Sequence, residues 1–188
     1  SRRPIVWSTD TLRRMQPPNP ARMLRLRDGF DAMRRLNATV CTGVVSGVGI
    51  GNVLSIRLWH GEQNVLRVLR TFPDRTAARE IEERYYRAPG ANEGKRPPLP
   101  EMWSLDPTPK NQRLTVVGAF VEVTLAREGH GNAVGINLLE KIALPSLATL
   151  YGAMLAGVDT VIMGAGIPLR IPGALDLLRR FIVSGQRQ

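Results

Sequence analysis

Asn137 is the only polar side chain in the apolar run Ala133–Leu138. That run has no helical period and reads as a buried strand. A carboxamide in such a place must find a partner, either a neighbouring backbone group or a ligand. A second apolar run, Asp159–Met163, is broken by Gly164, Ala165 and Gly166. Closely spaced glycines let a ligand approach backbone amides, and they equally make a tight strand-to-loop turn. A third candidate lies at Ser46 and Gly47, where the strand-like run Thr39–Ser46 runs into Gly47-Val48-Gly49-Ile50-Gly51. This is a poor dinucleotide fingerprint, since the spacing is wrong and no acidic residue ends a second strand about 20 residues on. The better reading is a strand whose carboxyl-end turn faces a ligand pocket, or a turn that needs glycines for its own geometry. Glu140 and Lys141 can reach the same place as Asn137 or form a surface ion pair. The two histidines, His60 and His130, are the usual candidates for a general base. The sequence has no Cys/His metal spacing, no Walker loop and no nucleophile elbow, so it assigns no metal and no catalytic residue.

The elements that must position these residues form a βαβ unit. Ser146 is placed to cap a helix on which Leu147, Leu150, Tyr151, Met154, Leu155 and Val158 share one face, and Gly157 stands where it should stop. Two apolar strands joined by one amphipathic helix are expected to be parallel. Ligands of such units bind at the carboxyl ends of the strands. That expectation places Asn137 and the Gly164–Gly166 turn side by side.

The run Gly135–Ile142, GINLLEKI, followed by Leu144–Pro168, LPSLATLYGAMLAGVDTVIMGAGIP, resembles the nitronate monooxygenase family. The resemblance extends more weakly back to about Gly43 and does not cover the first forty residues. It implies an FMN-dependent TIM barrel, of which this chain would be the N-terminal half. It further implies that Asn137 hydrogen-bonds the flavin, that Gly164, Ala165 and Gly166 lie near flavin or substrate, and that Ser46 and Gly47 lie near its phosphate or ring. The family's flavin takes electrons from an alkyl nitronate, giving a carbonyl compound and nitrite. Flavin enoyl reductases of fatty-acid synthesis share the fold and are the alternative. The family's catalytic histidine belongs to a motif in the second half of the barrel. Glu128-Gly129-His130-Gly131 is similar to it but precedes the Asn137 strand, so the role is not carried over to His130. The family's Gly-Gly-Met turn of the first barrel strand has no counterpart in the opening residues.

The chain has 188 residues, enough for one core, whereas a complete (β/α)8 barrel takes about 250. An incomplete chain with little activity alone is therefore expected. Residues 1–38 form a basic, Arg- and Pro-rich segment, with a short helix expected over Arg22–Leu36. Residues 39–188 form the partial barrel, with an insertion at 88–109 anchored by Trp103 and Leu105. Helices are expected at Asn52–His60, Glu62–Thr71, Arg75–Arg87 (capped by Asp74, with a solvated charged face), Asn111–Glu128 and Ile171–Phe181. Net charge is +10, concentrated toward the ends of the chain. Without interleaved aromatics this does not favour nucleic acid, although a non-catalytic, RNA-contacting half-barrel is a second reading. A half-barrel exposes two sheet edges, so a partner chain or homo-oligomer is expected to cover them. The single cysteine, Cys41, suits a reducing, cytoplasmic setting, and no apolar run approaches a membrane span.

Overall fold

The computed structural model describes residues 43–92 and 94–185. Its elements are β1 (Gly43–Ser46), α1 (Ile50–Trp59), α2 (Gln63–Leu69), α3 (Arg75–Tyr85), α4 (Pro109–Arg127), β2 (Val134–Leu139), α5 (Ser146–Leu155), β3 (Thr160–Gly164) and α6 (Ile171–Gly185). The expected elements are all present among these residues, with ends shifted by up to four residues. The part of the first strand before Gly43 and the helix at Arg22–Leu36 lie outside the described residues. The run Asn111–Glu128 is helical, as a crossover between parallel strands requires. Residues 88–108 carry no helix or strand among those described, and Leu105, expected as an anchor, is 92% exposed. Trp103 does anchor the segment, donating from Nε1 to Thr115 Oγ1 at 3.2 Å.

The strands are parallel, in the order β1-β2-β3. An order that follows the sequence, with crossovers of one hand, puts successive helices on the same face of the sheet. The contacts agree. Val45, Val134, Ile136, Leu138 and Val161 share a core with Ala119, Val123 and Ala126 of α4 and with Leu150 and Ala153 of α5. A second core joins α1, α2 and α3 to the other side of α4. The strands alternate, so Val44, Ser46, Gly135, Asn137, Leu139, Thr160, Ile162 and Gly164 fall on the opposite face. This is a singly wound α/β arrangement. No closed barrel is present among the described residues, in which β1 and β3 are edge strands.

Helix α5 corrects two expectations. Ser146 does not cap it. Ser146 is buried inside the first turn and donates Oγ to Ile142 O at 3.1 Å, while Pro145 occupies the cap position. The buried stripe is Ser146, Thr149, Leu150, Gly152 and Ala153, not one centred on the large side chains, and Leu147 is 56% exposed. The reason is the closeness of α4. A Cβ on Gly152 would stand 2.0 Å from the carbonyl oxygen of Val116 and 3.0 Å from Ala119 Cβ. Gly118 makes the matching approach on the other side, with its Cβ position 2.8 Å from Ile50 O of α1. At the far end Gly157 stops α5 in a left-handed conformation, φ 77°.

Arg57 and Glu122 join α1 to α4 by a buried ion pair. Arg57 Nη1 donates to both carboxylate oxygens of Glu122, at 2.7 and 2.8 Å, and Nε donates to Glu62 at 2.8 Å. Burial, the largest influence on Glu122, pushes its carboxyl above the usual range, against the pull of Arg57. Burial also works against the Arg57 charge, yet Glu122 and Glu62 hold that guanidinium above its ordinary value. The helix α3 charges are not merely solvated. Glu82 is bound by Arg70, which follows the end of α2, and Glu80 by Arg113 of α4.

Two stability measurements follow. Gly152→Ala should lower unfolding free energy by about 3 kcal/mol, the upper part of the usual overpacking range, read by urea denaturation. Arg57→Ala strands a buried carboxylate and should cost about 3–5 kcal/mol at neutral pH. Because burial raises the Glu122 pKa, that loss should shrink as pH falls and Glu122 takes up a proton. Arg57→Met with Glu122→Leu should recover most of it.

Candidate functional site at the carboxyl edge of the sheet

Parallel strands of one hand end together, so β1, β2 and β3 deliver Ser46, Asn137 and the Gly164 turn to one edge. The register decides which of them meet. Asn137 lies directly between Ser46 on β1 and Ile162 on β3. Gly164 pairs with Leu139 instead, two residues further along β2. The expected pairing of Asn137 with the glycine turn is therefore corrected: its immediate polar neighbour is Ser46.

Asn137 and Ser46 both fall on the face that carries no helix among the described residues. Asn137 is half-buried and Ser46 is exposed. The Asn137 carboxamide has no hydrogen-bond partner among the described residues. The Ser46 hydroxyl accepts only a long contact from Val48 N, 3.5 Å. Around them Val44, 38% exposed, and the half-buried Leu139 and Ile162 form an apolar surface. Two unused polar groups on an apolar floor are what a flat, amphipathic ligand needs.

Gly47 has a different task. It is buried on the helix side, and its N–H donates to Asn137 O at 2.8 Å. A Cβ there would meet Leu138 Cδ2 at 2.7 Å and Asn137 O at 3.1 Å. Its small size serves strand-to-strand packing. In the Gly164–Gly166 turn, Ala165 adopts a left-handed φ of 58°, a conformation that costs a residue with a Cβ about 1–2 kcal/mol. Glu140 lies over this turn. Its N–H donates to Gly164 O at 2.9 Å, and its side chain comes within 2.7 Å of where a Gly166 Cβ would be. Glu140 makes no ion pair with Lys141. A carboxylate across these amides disfavours a phosphate in the turn.

The histidines stand elsewhere. His130 follows α4 and precedes β2, at the opposite edge of the sheet. Its Nδ1 accepts from Asn132 N at 3.2 Å, which leaves Nε2 to donate to Ala126 O at 2.6 Å. This tautomer is assigned from the hydrogen-bond network. The ring finishes the helix. His60 is exposed at the end of α1. The same amino edge holds a latch that the sequence reading missed. Asp159 Oδ2 accepts from Val134 N at 2.8 Å and from Arg127 Nη1 at 2.6 Å, and Arg127 also reaches Gly157 O. The sequence reading also passed over Val44, Leu139 and Ile162. Period-two alternation from Asn137 would have found Leu139, but the partners on β1 and β3 needed the register.

Two clefts of about 530 and 540 Å3 lie away from this edge, one between α3, Pro100–Glu101 and the start of α4, the other between Arg70 and α3. Neither is lined by a residue of the candidate site. No group of three or more His, Cys, Asp or Glu side chains gathers to hold a metal among the described residues. No described helix is long and apolar enough to cross a membrane. Comparison of the chain with protein-family models, curated proteins and solved structures gives no match. The functional reading therefore rests on the residues at the sheet edge.

Substitution should separate packing from binding groups here. Gly47→Ala is expected to destabilise by about 1–3 kcal/mol, as overpacking does. Asn137→Ala, with no hydrogen-bond partner among the described residues, and Ser46→Ala, which loses only the long 3.5 Å contact from Val48 N, should stay within about 0.5 kcal/mol of the parent. Differential scanning calorimetry of the three variants checks this ordering.

Proposed function

We propose that the carboxyl edge of this sheet is one side of a flavin site, in a chain related to the nitronate monooxygenases. The observation that carries the reading is Asn137. Its carboxamide is half-buried, without a hydrogen-bond partner among the described residues, beside the exposed Ser46 hydroxyl and on the face that a barrel would turn inward. The residues fit an isoalloxazine ring in kind. Leu139 and Ile162 offer apolar contact to its face, and the amide and hydroxyl offer hydrogen bonds to its polar rim. They do not supply the phosphate site, given Glu140 over the glycine turn.

When bound, the flavin supplies an electron acceptor for an alkyl nitronate and a donor to oxygen. The chain's own contribution at this edge is binding and orientation. Asn137 fixes the ring edge by a donor–acceptor pair, and the apolar floor excludes water from one ring face. No described residue at the edge is placed as a general base, since His130 stands at the other end of the sheet. Three strands cover only part of such a ring, so turnover by this chain alone is expected to be low.

The test is a visible-absorption titration of the purified chain with FMN. Saturable uptake, accompanied by perturbation of the flavin bands, supports the reading. Asn137→Ala should then weaken uptake about tenfold, near the worth of one good hydrogen bond. Absence of any uptake at millimolar FMN, with the chain folded by circular dichroism, overturns it. If flavin binds, nitronate-dependent oxygen consumption against NAD(P)H-dependent reduction of an enoyl thioester separates the monooxygenase from the reductase chemistry.

A further inference from the structure

The connection between α3 and α4 runs from Lys95 to Ser104 without helix, strand, turn or bend. Pro97, Pro98 and Pro100 each fix φ near about −65°, and each keeps the residue before it extended. No backbone-to-backbone hydrogen bond joins residues 96–107 to one another or to other described residues. These are the marks of a polyproline II stretch, with three residues per turn and a solvated backbone. Burial follows the same period. Pro97, Pro100 and Trp103 are half-buried and form the edge that rests on the protein. Pro100 lines the cleft beside α3 and the start of α4, and Trp103 is held by Thr115. Glu101 O accepts from Asn111 Nδ2 at 3.1 Å, which ties the strap to α4. A second edge carries Arg96, Leu99 and Met102 and points outward. Arg96 is exposed, Leu99 is 65% exposed and Met102 93%. Lys95 and Arg96 make no ion pair among the described residues.

We propose that this strap is the docking site for a partner protein with an aromatic-walled groove and a carboxylate at one end. The chemistry of the strap selects that occupant. Proline lacks an N–H, so a partner strand pairing along Pro97–Pro100 would lose its ladder bonds to three of those residues. A groove that takes polyproline II reads the side chains of the outward edges instead, and its aromatic walls pack on proline and aliphatic groups. Leu99 and Met102 stand about 9 Å apart along the strap, at about 3.1 Å per residue, a spacing for two neighbouring pockets. Arg96 continues the same edge at its amino end. A carboxylate facing it forms a charge-assisted contact and fixes the direction in which the strap lies in the groove. The prolines, Trp103 and the Glu101 carbonyl hold the strap in its extended form before any partner arrives, so docking orders little new chain. The cleft it borders lies away from the carboxyl edge of the sheet, and the proposal is independent of the flavin reading.

The test is a nuclear magnetic resonance titration of an isotopically labelled WW domain, one with an acidic residue beside its aromatic groove, with the whole chain. Shifts confined to that groove are expected, saturating with a Kd of about 10–100 µM, a weak but specific range. Leu99→Asp with Met102→Asp should remove them, while Leu147→Asp, exposed on α5, should leave them unchanged. Arg96→Glu should weaken binding about tenfold by setting like charges opposite each other. Replacing the acidic residue of the groove by lysine restores opposite charges and should restore binding to that variant. Absence of shifts at millimolar chain, or shifts indifferent to the Leu99/Met102 change in variants shown folded by circular dichroism, overturns the proposal. Binding to Arg96→Glu that the groove's charge reversal fails to rescue overturns the carboxylate contact on which it rests.

Discussion

The structure depends on how closely helix α4 is approached from both sides. Gly118 admits the α1 backbone and Gly152 of α5 admits the α4 backbone, each at a separation that a methyl group would prevent. Closeness has a physical return, because dispersion contacts fall off steeply with distance and dense packing collects many of them. It also explains why α4 is buried along most of its length. One side belongs to the sheet core and the other to the bundle of α1, α2 and α3. Any polar group on such a helix must be matched, and Glu122 is matched by Arg57 on the neighbour that Gly118 lets in. A buried pair of this kind adds little net stability compared with apolar side chains, but removing one partner is costly. It therefore favours one docking of α1 on α4 over others.

With α4 and α5 locked together, the described helices gather on one side of the sheet, and no described helix packs on the other. The candidate site is a consequence of that division. Residues of alternate parity on β1, β2 and β3 look away from the helices, and those nearest the carboxyl edge include Ser46, Asn137 and Leu139. Among the described residues the Asn137 carboxamide there has no hydrogen-bond partner, and the Ser46 hydroxyl has only the long contact from Val48 N. The glycines at the same edge divide by task. Gly47 serves contact between strands, while the Gly164–Gly166 turn holds a left-handed Ala165 and lies under Glu140. The opposite edge is closed by hydrogen bonds, with Asp159 and Arg127 tying β2 to the end of α5, so the two ends of the sheet have different chemistry.

Much of the fold is legible in the sequence because it depends on local periodicity. Asp74 caps α3 by accepting hydrogen bonds from the Thr76 and Ala77 N–H groups, both at 3.0 Å, as a carboxylate ahead of a helix should. Leu114, Val117, Val121 and Leu125 mark α4 as a helix despite the β-branched residues in it, because their spacing of three and four matches the α-helical repeat. The parallel strands follow from the connections, which are too long for hairpins. Other features are settled by contacts between distant parts of the chain. Nothing in SLATLYGAML says that the small residues face inward and Leu147 outward; that depends on α4 arriving at Gly152. Nothing near Glu122 says that its carboxylate is buried against Arg57.

The sequence by itself determined that Asn137 is a polar residue in an apolar strand, and that glycine-rich turns end β1 and β3. Those are statements about residue types along one chain segment. Only the tertiary structure decided that Asn137 sits between Ser46 and Ile162, that Gly164 is two residues too far along to share its place, and that His130 lies at the other end of the sheet. The physical reason is register. Parallel strands are aligned by hydrogen bonds between segments far apart in sequence, and a shift of one residue moves a side chain to the other face. No local pattern encodes that alignment; the packing of α4 and α5 against the sheet selects it.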